Sequence, residues 1–316
     1  MRAMREVWGE TLAALAESDE RLVVLDGDLA NSTKADIVAK AHPDRFLQMG
    51  IAEQNLVGTA VGIATMGYVP WLSSFTVFLT HRALDPVRML VAQTGANVKL
   101  AGSYSGILTG LTGRTHQDVQ DLAIMRAMPG MTVLAPADGA ECEAMIRWAC
   151  EYEGPVYLRL ARDPESDVFP DGVSFVPGAV RRLRDGQDVT LVSTGTQTAR
   201  VLAAADILQG AGVRAGVVHV PCLKPLDEDA LLRELSDTPL VVTVEEHTVL
   251  GGLGGLVAEL VAGSGNRVRV ERIGLQDVWG ESAPNDFLLD KYGLAPSQVA
   301  ARVGALVESG LAHRVR

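Results

Sequence analysis

Glu53, His116 and the pair Phe75 and Phe78 are residues whose types and spacing could do chemistry in this sequence. Glu53 lies in Gly50-Ile51-Ala52-Glu53-Gln54-Asn55, after a short apolar run, Phe46-Leu47-Gln48-Met49, that reads as a strand. Val57, Ala60, Val61 and Ala64 then recur at helical spacing, so Glu53 falls in the first turn of a helix leaving a strand's carboxyl end. Ligands of open α/β sheets bind at such ends. The plain alternative is a surface acid favoured by the helix dipole. Gly58, Ala60, Gly62 and Ala64 keep one side of the helix small. Glycine costs a helix roughly 1 kcal/mol against alanine, so its use here suggests that another group approaches closely. His116 closes a glycine-dense loop, with Gly102, Gly106, Gly110 and Gly113, after the strand-like Val98-Lys99-Leu100-Ala101. Glycines permit positive φ and close approach to a ligand, which makes a histidine that could be structural a candidate site residue. Phe75 and Phe78, three apart, share one face of an expected helix, where paired aromatics most often serve as core.

Alternating strands and helices must position these groups. Trp8, Thr11, Leu12 and Leu15 predict a helix over 5–17, and Leu22-Val23-Val24-Leu25 a buried strand running into the polar loop 26–33. Strands are expected at 68–72, 98–101, 132–135 and 155–160. A long helix is expected from 73 to about Gln93, a helix capped by Asp118 after the loop, and another to about Glu151. Residues 163–187 are rich in Pro, Gly, Asp and Arg and lack periodicity. The expected division is a first domain over 1–165, a linker over 166–187 and a second domain over 188–316. Strands at 189–193, 216–220, 240–244 and 268–273, with helices at 198–209 and 253–262, complete the second. The fold class is therefore α/β, two doubly wound domains each with a mostly parallel sheet. Glu245-Glu246-His247 before Gly251-Gly252-Leu253-Gly254-Gly255 invites a dinucleotide reading, but from Gly252 the last glycine of GxGxxG falls at Val257. Close packing of a helix on a sheet is the better reading.

Length and composition set bounds. The 316 residues suit two domains of ~150 each. A net charge of -11 argues against nucleic acid and anionic membrane as partners. No run approaches the ~20 apolar residues of a membrane span, and the first residues have no signal-peptide core. Three sparse cysteines, Cys142, Cys150 and Cys222, without metal-ligand spacing point to a reduced, cytoplasmic protein.

The stretch from Gly50 to Gly58 and its small-residue helix resemble the pyrimidine-binding segment of transketolases, and a similar segment occurs in 1-deoxyxylulose-5-phosphate synthases. The resemblance extends to Thr115-His116-Gln117, to the phenylalanine spacing after the third strand, and to the second half, which is similar to the transketolase C-terminal domain. It implies thiamine diphosphate as cofactor, with Glu53 on its aminopyrimidine ring as a catalytic residue and Phe75 and Phe78 clamping that ring. It implies that Arg5, Ser32 and Arg162 bind a substrate phosphate, and that His116 contacts substrate oxygens near the reacting carbons. Two positions depart from the family. Thr112 stands where an acid usually contacts a sugar hydroxyl, and Ser103 or Tyr104 where a second histidine is usual. Thr112 is thus expected to bind substrate more weakly, since it carries no charge.

The family's Gly-Asp-Gly metal and diphosphate motif is absent; Gly27-Asp28-Leu29 is the nearest. No metal ligand is therefore assigned to this chain. The resemblance implies one subunit of a split transketolase. A separate N-terminal subunit would bind the diphosphate through Mg or Ca, in a heterotetramer with self-association. The implied reaction moves a two-carbon ketol unit from a ketose, often phosphorylated, to an aldose. Rival readings are a 1-deoxyxylulose-5-phosphate synthase-like activity, a 2-oxo-acid dehydrogenase beta subunit, and a degenerate scaffolding or regulatory subunit.

Overall fold

Short apolar runs buried on both faces are what parallel sheets need, and this chain forms two such sheets. The computed structural model describes residues 1–265 and 267–314. Its strands are β1 Leu22–Asp26, β2 Phe46–Gln48, β3 Val69–Phe75, β4 Lys99–Ser103, β5 Thr132–Leu134 and β6 Val156–Leu160. They continue with β7 Arg181–Arg184, β8 Val189–Ser193, β9 Ala215–His219, β10 Cys222–Lys224, β11 Leu240–Thr248 and β12 Arg269–Leu275. The first sheet has the order β10-β5-β6-β4-β3-β1-β2, and the second β12-β11-β8-β9-β7. Among the described residues only the edge strands β10 and β7 pair antiparallel; the other strand pairs are parallel.

Alternate residues of the first sheet feed two cores. On one face Val24, Trp71 and Leu158 meet the helices Met4–Ala16 and Gly139–Glu151. On the other Leu25, Leu72, Leu100 and Tyr157 meet the helix Glu53–Thr65. In the second sheet Leu191 and Val242 meet the helix Gln197–Gly210, and Val192 and Val241 the helix Leu253–Ser264, so both domains are doubly wound.

Expectations for β3, the segment after it and the linker change. β3 runs on to Phe75, because Ser73, Ser74 and Phe75 pair with Ala101, Gly102 and Ser103 of β4. The segment after β3 is not one regular helix: wide-turned stretches at Phe78–Arg82 and Val87–Ala92 flank a short α-helical piece, Leu84–Pro86. Proline inside the run removes a backbone donor, which breaks the regular ladder. Within the stretch expected as linker, Arg181–Arg184 forms β7 on the edge of the second sheet.

The second domain also reaches into the first. β10 adds an antiparallel edge to β5. Behind it His219 Nε2 lies 2.8 Å from Glu141 Oε2, with both side chains fully buried. The glycines after His247 do pack a helix onto a strand. Glu245 accepts from the Leu253 and Gly254 amides at 2.7 and 2.8 Å, and a Cβ at Gly252 would lie 2.2 Å from its carboxylate.

The helix Met4–Ala16 carries Arg5, and its seating depends on Gly9. A Cβ there would lie 2.4 Å from the Lys34 carbonyl oxygen, which is backbone and cannot swing aside. Gly9→Ala is expected to destabilise the fold by ~1–3 kcal/mol, the usual penalty of overpacking. Urea unfolding reads this, and a wild-type midpoint would show that the helix shifts freely.

Candidate active site

Five neighbouring strands of the first sheet deliver the candidate residues at their carboxyl ends. Arg162 follows β6, Tyr104 follows β4, Phe75 ends β3, Ser32 follows β1 and Glu53 follows β2. At the end of β1, Asp26 holds its loop by accepting from the Leu29 amide at 2.6 Å and the Thr33 hydroxyl at 3.0 Å. Burial pushes the Asp26 carboxyl above its usual range, and those hydrogen bonds oppose the shift.

Glu53 opens its helix and is 1% exposed. A buried carboxylate needs a counter-charge, and Arg82 supplies it. Arg82 Nη1 donates to both Glu53 oxygens, at 2.7 and 2.8 Å. The same guanidinium lies over the Phe78 ring, 4.2 Å from its centroid. A flat group carrying N–H donors can therefore rest on Phe78 and bond Glu53 at once.

Phe75 and Phe78 do not share a helical face, since Phe75 closes β3 and Phe78 starts the next segment. Their rings stack nonetheless, at 6.0 Å and 21°. Tyr104 also stacks on Phe75, at 4.1 Å and 23°. His116 sets its ring edgewise to both phenylalanines, at 5.9 and 5.5 Å. Its Nδ1 lies 2.9 Å from Thr115 Oγ1, which leaves Nε2 without a protein partner among the described residues.

Arg5 Nη1 donates to the Tyr104 hydroxyl and to the Ser32 carbonyl, both at 2.8 Å. Arg162 lies 5.4 Å from the Tyr104 ring centroid, as does Arg5. The Nε atoms of both arginines are buried without a hydrogen-bond partner among the described residues, though Arg162 Nε lies 3.8 Å from Asp163 Oδ1. Two half-buried guanidinium groups with spare donors beside one ring are a setting for an anion. The Ser32 hydroxyl turns to Asn31 Oδ1 at 3.2 Å. Thr112 stands apart: its hydroxyl meets Thr109 Oγ1 at 2.6 Å, and no hydrogen bond or ring contact joins it to the other candidates.

Asp118 is not a helix cap, for the next helix is Asp121–Ala127. It is buried, accepts from the Gln120 amide at 2.9 Å and from Thr80, and lies 3.5 Å from His81 Nε2. Sequence reasoning missed this pair, Arg82, and the central place of Tyr104. Arg82 lies four residues after Phe78, a spacing that could have suggested their contact. Tyr104 takes φ +59°, which no sequence pattern signals for a tyrosine.

The hydrogen bond to Asp118 raises the His81 pKa against the opposing effect of burial. Burial alone would raise Asp118, but His81, Thr80 and the Gln120 amide outweigh it and hold the carboxyl below its usual range. His81 therefore adds stability that is complete below the ordinary histidine value of about 6.5 and is lost as pH rises through its higher folded value. Asp118 adds stability that is present above about 3.9 and is lost as pH falls through its lower folded value. The pair should help most between about pH 4 and 6.5. The melting-temperature deficit of His81→Gln is expected to be largest near pH ~6 and to narrow toward pH ~9. A deficit that stays constant with pH would refute this coupling.

The chain belongs to the transketolase family. Residues 1–164 match the family "Transketolase, pyrimidine binding domain", and 178–299 match "Transketolase, C-terminal domain". A putative transketolase C-terminal section of Methanocaldococcus jannaschii is 41% identical over 96% of this chain and 95% of its own length. A 6-deoxy-6-sulfo-D-fructose transketolase subunit of Clostridium sp. (strain MSTE9) is 38% identical over 96% of this chain and 94% of its own. Among solved structures, a split-gene transketolase described as an inactive beta4 tetramer superposes with a TM-score of 0.90 at 42% identity. That match covers 98% of this chain and 99% of the other.

Proposed function

We propose that this chain is the C-terminal subunit of a split, thiamine-diphosphate-dependent transketolase. It transfers a two-carbon ketol unit from a ketose bearing an anionic group to an aldose, and only with a separate N-terminal subunit. The observation that carries this reading is Arg82, whose flat guanidinium lies on Phe78 while donating to Glu53. An aminopyrimidine makes the same two demands, a flat face and a carboxylate partner, so the residues present fit the cofactor.

Glu53 would hold the ring and keep a proton at its nitrogen, with Phe75 and Phe78 covering its face. A ring bound there competes with Arg82 for the same carboxylate, so Arg82 yields. When bound, thiamine diphosphate supplies the nucleophilic carbon for carbon–carbon cleavage and transfer. His116 Nε2 would donate to or accept from substrate oxygens beside the aromatic cluster. Arg5 and Arg162 would take the substrate's anionic group with their guanidinium groups, Ser32 lying beside Arg5. Thr112, already engaged with Thr109, would discriminate weakly at a sugar hydroxyl.

Splitting of the enzyme is supported by near-complete overlap with chains described as a C-terminal section and as a split-gene transketolase. No group of three His, Cys, Asp or Glu among the described residues could hold a metal. The missing Gly-Asp-Gly motif supports assigning Mg or Ca and the diphosphate to the partner subunit. The outer side of the helix Glu53–Thr65 suits subunit contact. Open space lies beside Gly58 and Gly62, and Ile51 and Met66 are exposed. Three buried free cysteines suit a reducing, cytoplasmic setting. No described helix is long and apolar enough to cross a membrane.

The pure chain should self-associate and give no turnover. Mixed with its N-terminal partner, it should form a heterotetramer that transfers a ketol unit from ketose to aldose. Turnover by the chain alone would overturn the split-enzyme reading, and pyruvate decarboxylation by the complex would favour the rival activities. In that complex, Glu53→Gln is expected to leave cofactor binding intact. Exchange of the cofactor's thiazolium proton should slow by at least ~100-fold, the lower range for acid–base groups. NMR follows that exchange, and an unchanged rate would remove Glu53 from activation.

A further inference from the structure

Glu246 belongs to β11 of the second domain, yet its side chain reaches into the loop that carries His116. It is 4% exposed. Oε1 accepts from the Ile107 amide at 2.8 Å and from the Leu108 amide at 3.1 Å. Oε2 lies 3.4 Å from Thr196 Oγ1. Gly106, at φ +74°, makes the room, because a Cβ there would sit 2.0 Å from Glu246 Oε1. Glu246 is itself held from behind. Its carbonyl accepts from Arg159 Nη2 at 2.9 Å, and Arg159 Nε pairs with Asp121 at 2.7 Å.

The second domain grips the far part of the loop as well. Gln117, the residue after His116, donates through Nε2 to the Ile107 carbonyl at 3.1 Å and to the Glu281 carbonyl at 2.9 Å. Ser282 Oγ donates to the Leu111 carbonyl at 2.7 Å. Tyr104 stands before this loop and His116 near its end, and both pack on Phe75. A buried carboxylate is costly unless hydrogen-bonded, so the two loop amides and Glu246 hold one another in place.

We propose that Glu246 is a positioning residue of the active site. From the second domain it clamps residues 106–108, so that Tyr104 and His116 keep their places on the aromatic cluster. The clamp needs an oxygen that accepts two amides, and it does not need a charge. Glutamine can therefore replace Glu246, while alanine cannot. Its bearing on catalysis rests on the functional reading above; the clamp itself does not.

Hydrogen exchange by mass spectrometry on the full chain tests the clamp directly. In Glu246→Ala, peptides over 104–117 should exchange at least ~10-fold faster, while those over the helix Glu53–Thr65 keep their rates. Glu246→Gln should keep wild-type protection. In the complex with the N-terminal subunit, Glu246→Ala should raise the sugar KM by at least ~10-fold and leave the cofactor Kd within about twofold, and Glu246→Gln should restore the KM. Unchanged loop exchange in Glu246→Ala, faster exchange throughout the chain, or a glutamine variant that behaves like alanine would each overturn the clamp. If Glu246→Ala does not fold, Gly106→Ala displaces the same carboxylate from the loop side. Its loosening should be confined to 104–117, and wild-type protection there would overturn the clamp. Should the exchange respond as expected while the complex transfers no ketol unit, the functional reading falls and the clamp stands.

Discussion

A carboxylate with 1% exposure at the start of a helix is the constraint on which the site turns. Glu53 cannot stay there unpaired at tolerable cost, so some donor must be brought to it. The chain brings Arg82, and Arg82 can reach Glu53 because the segment after β3 sets it over Phe78. Charge pairing and aromatic packing thus share one small volume. A ligand that took this place would have to satisfy both at once, as a flat group with N–H donors would.

The parallel sheet explains how so many side chains from distant parts of the chain converge. Neighbouring parallel strands all end on the same edge, so β6, β4, β3, β1 and β2 each present one loop or helix start to a common surface. Arg5 joins from a helix whose seating depends on the missing side chain of Gly9. Tyr104 links the two halves of the arrangement. Its ring stacks on Phe75, and its hydroxyl accepts from Arg5. The aromatic cluster and Arg5 are therefore linked through one side chain.

The second domain contributes none of the candidate groups that line this surface, but it is stitched to the first through buried polar pairs. His219 meets Glu141, Arg159 meets the Glu246 carbonyl, and β10 completes the first sheet. Low-dielectric pairs of this kind are costly to break, and they hold the two domains together beside the glycine-rich loop.

Much of the architecture was legible in residue order. Strand positions such as 22–25 and 189–193, the helix start at Glu53 and the α/β alternation come from apolar periodicity, which is a local property. Glycine density around Gly106 marked the loop, since positive φ and close approach both demand glycine. What residue order could not supply was pairing. Whether Phe75 ends a strand or begins a helix depends on its ladder with Ser103, and Asp118 serves Thr80 and His81 only because another segment lies against it. The partnership of Glu53 with Arg82, the place of Tyr104 and the reach of Glu246 into the loop share that origin. The sequence alone determined the periodic elements and the residue types available. Tertiary structure decided which donor meets which acceptor, because a hydrogen bond of about 3 Å depends on where the chain returns in space.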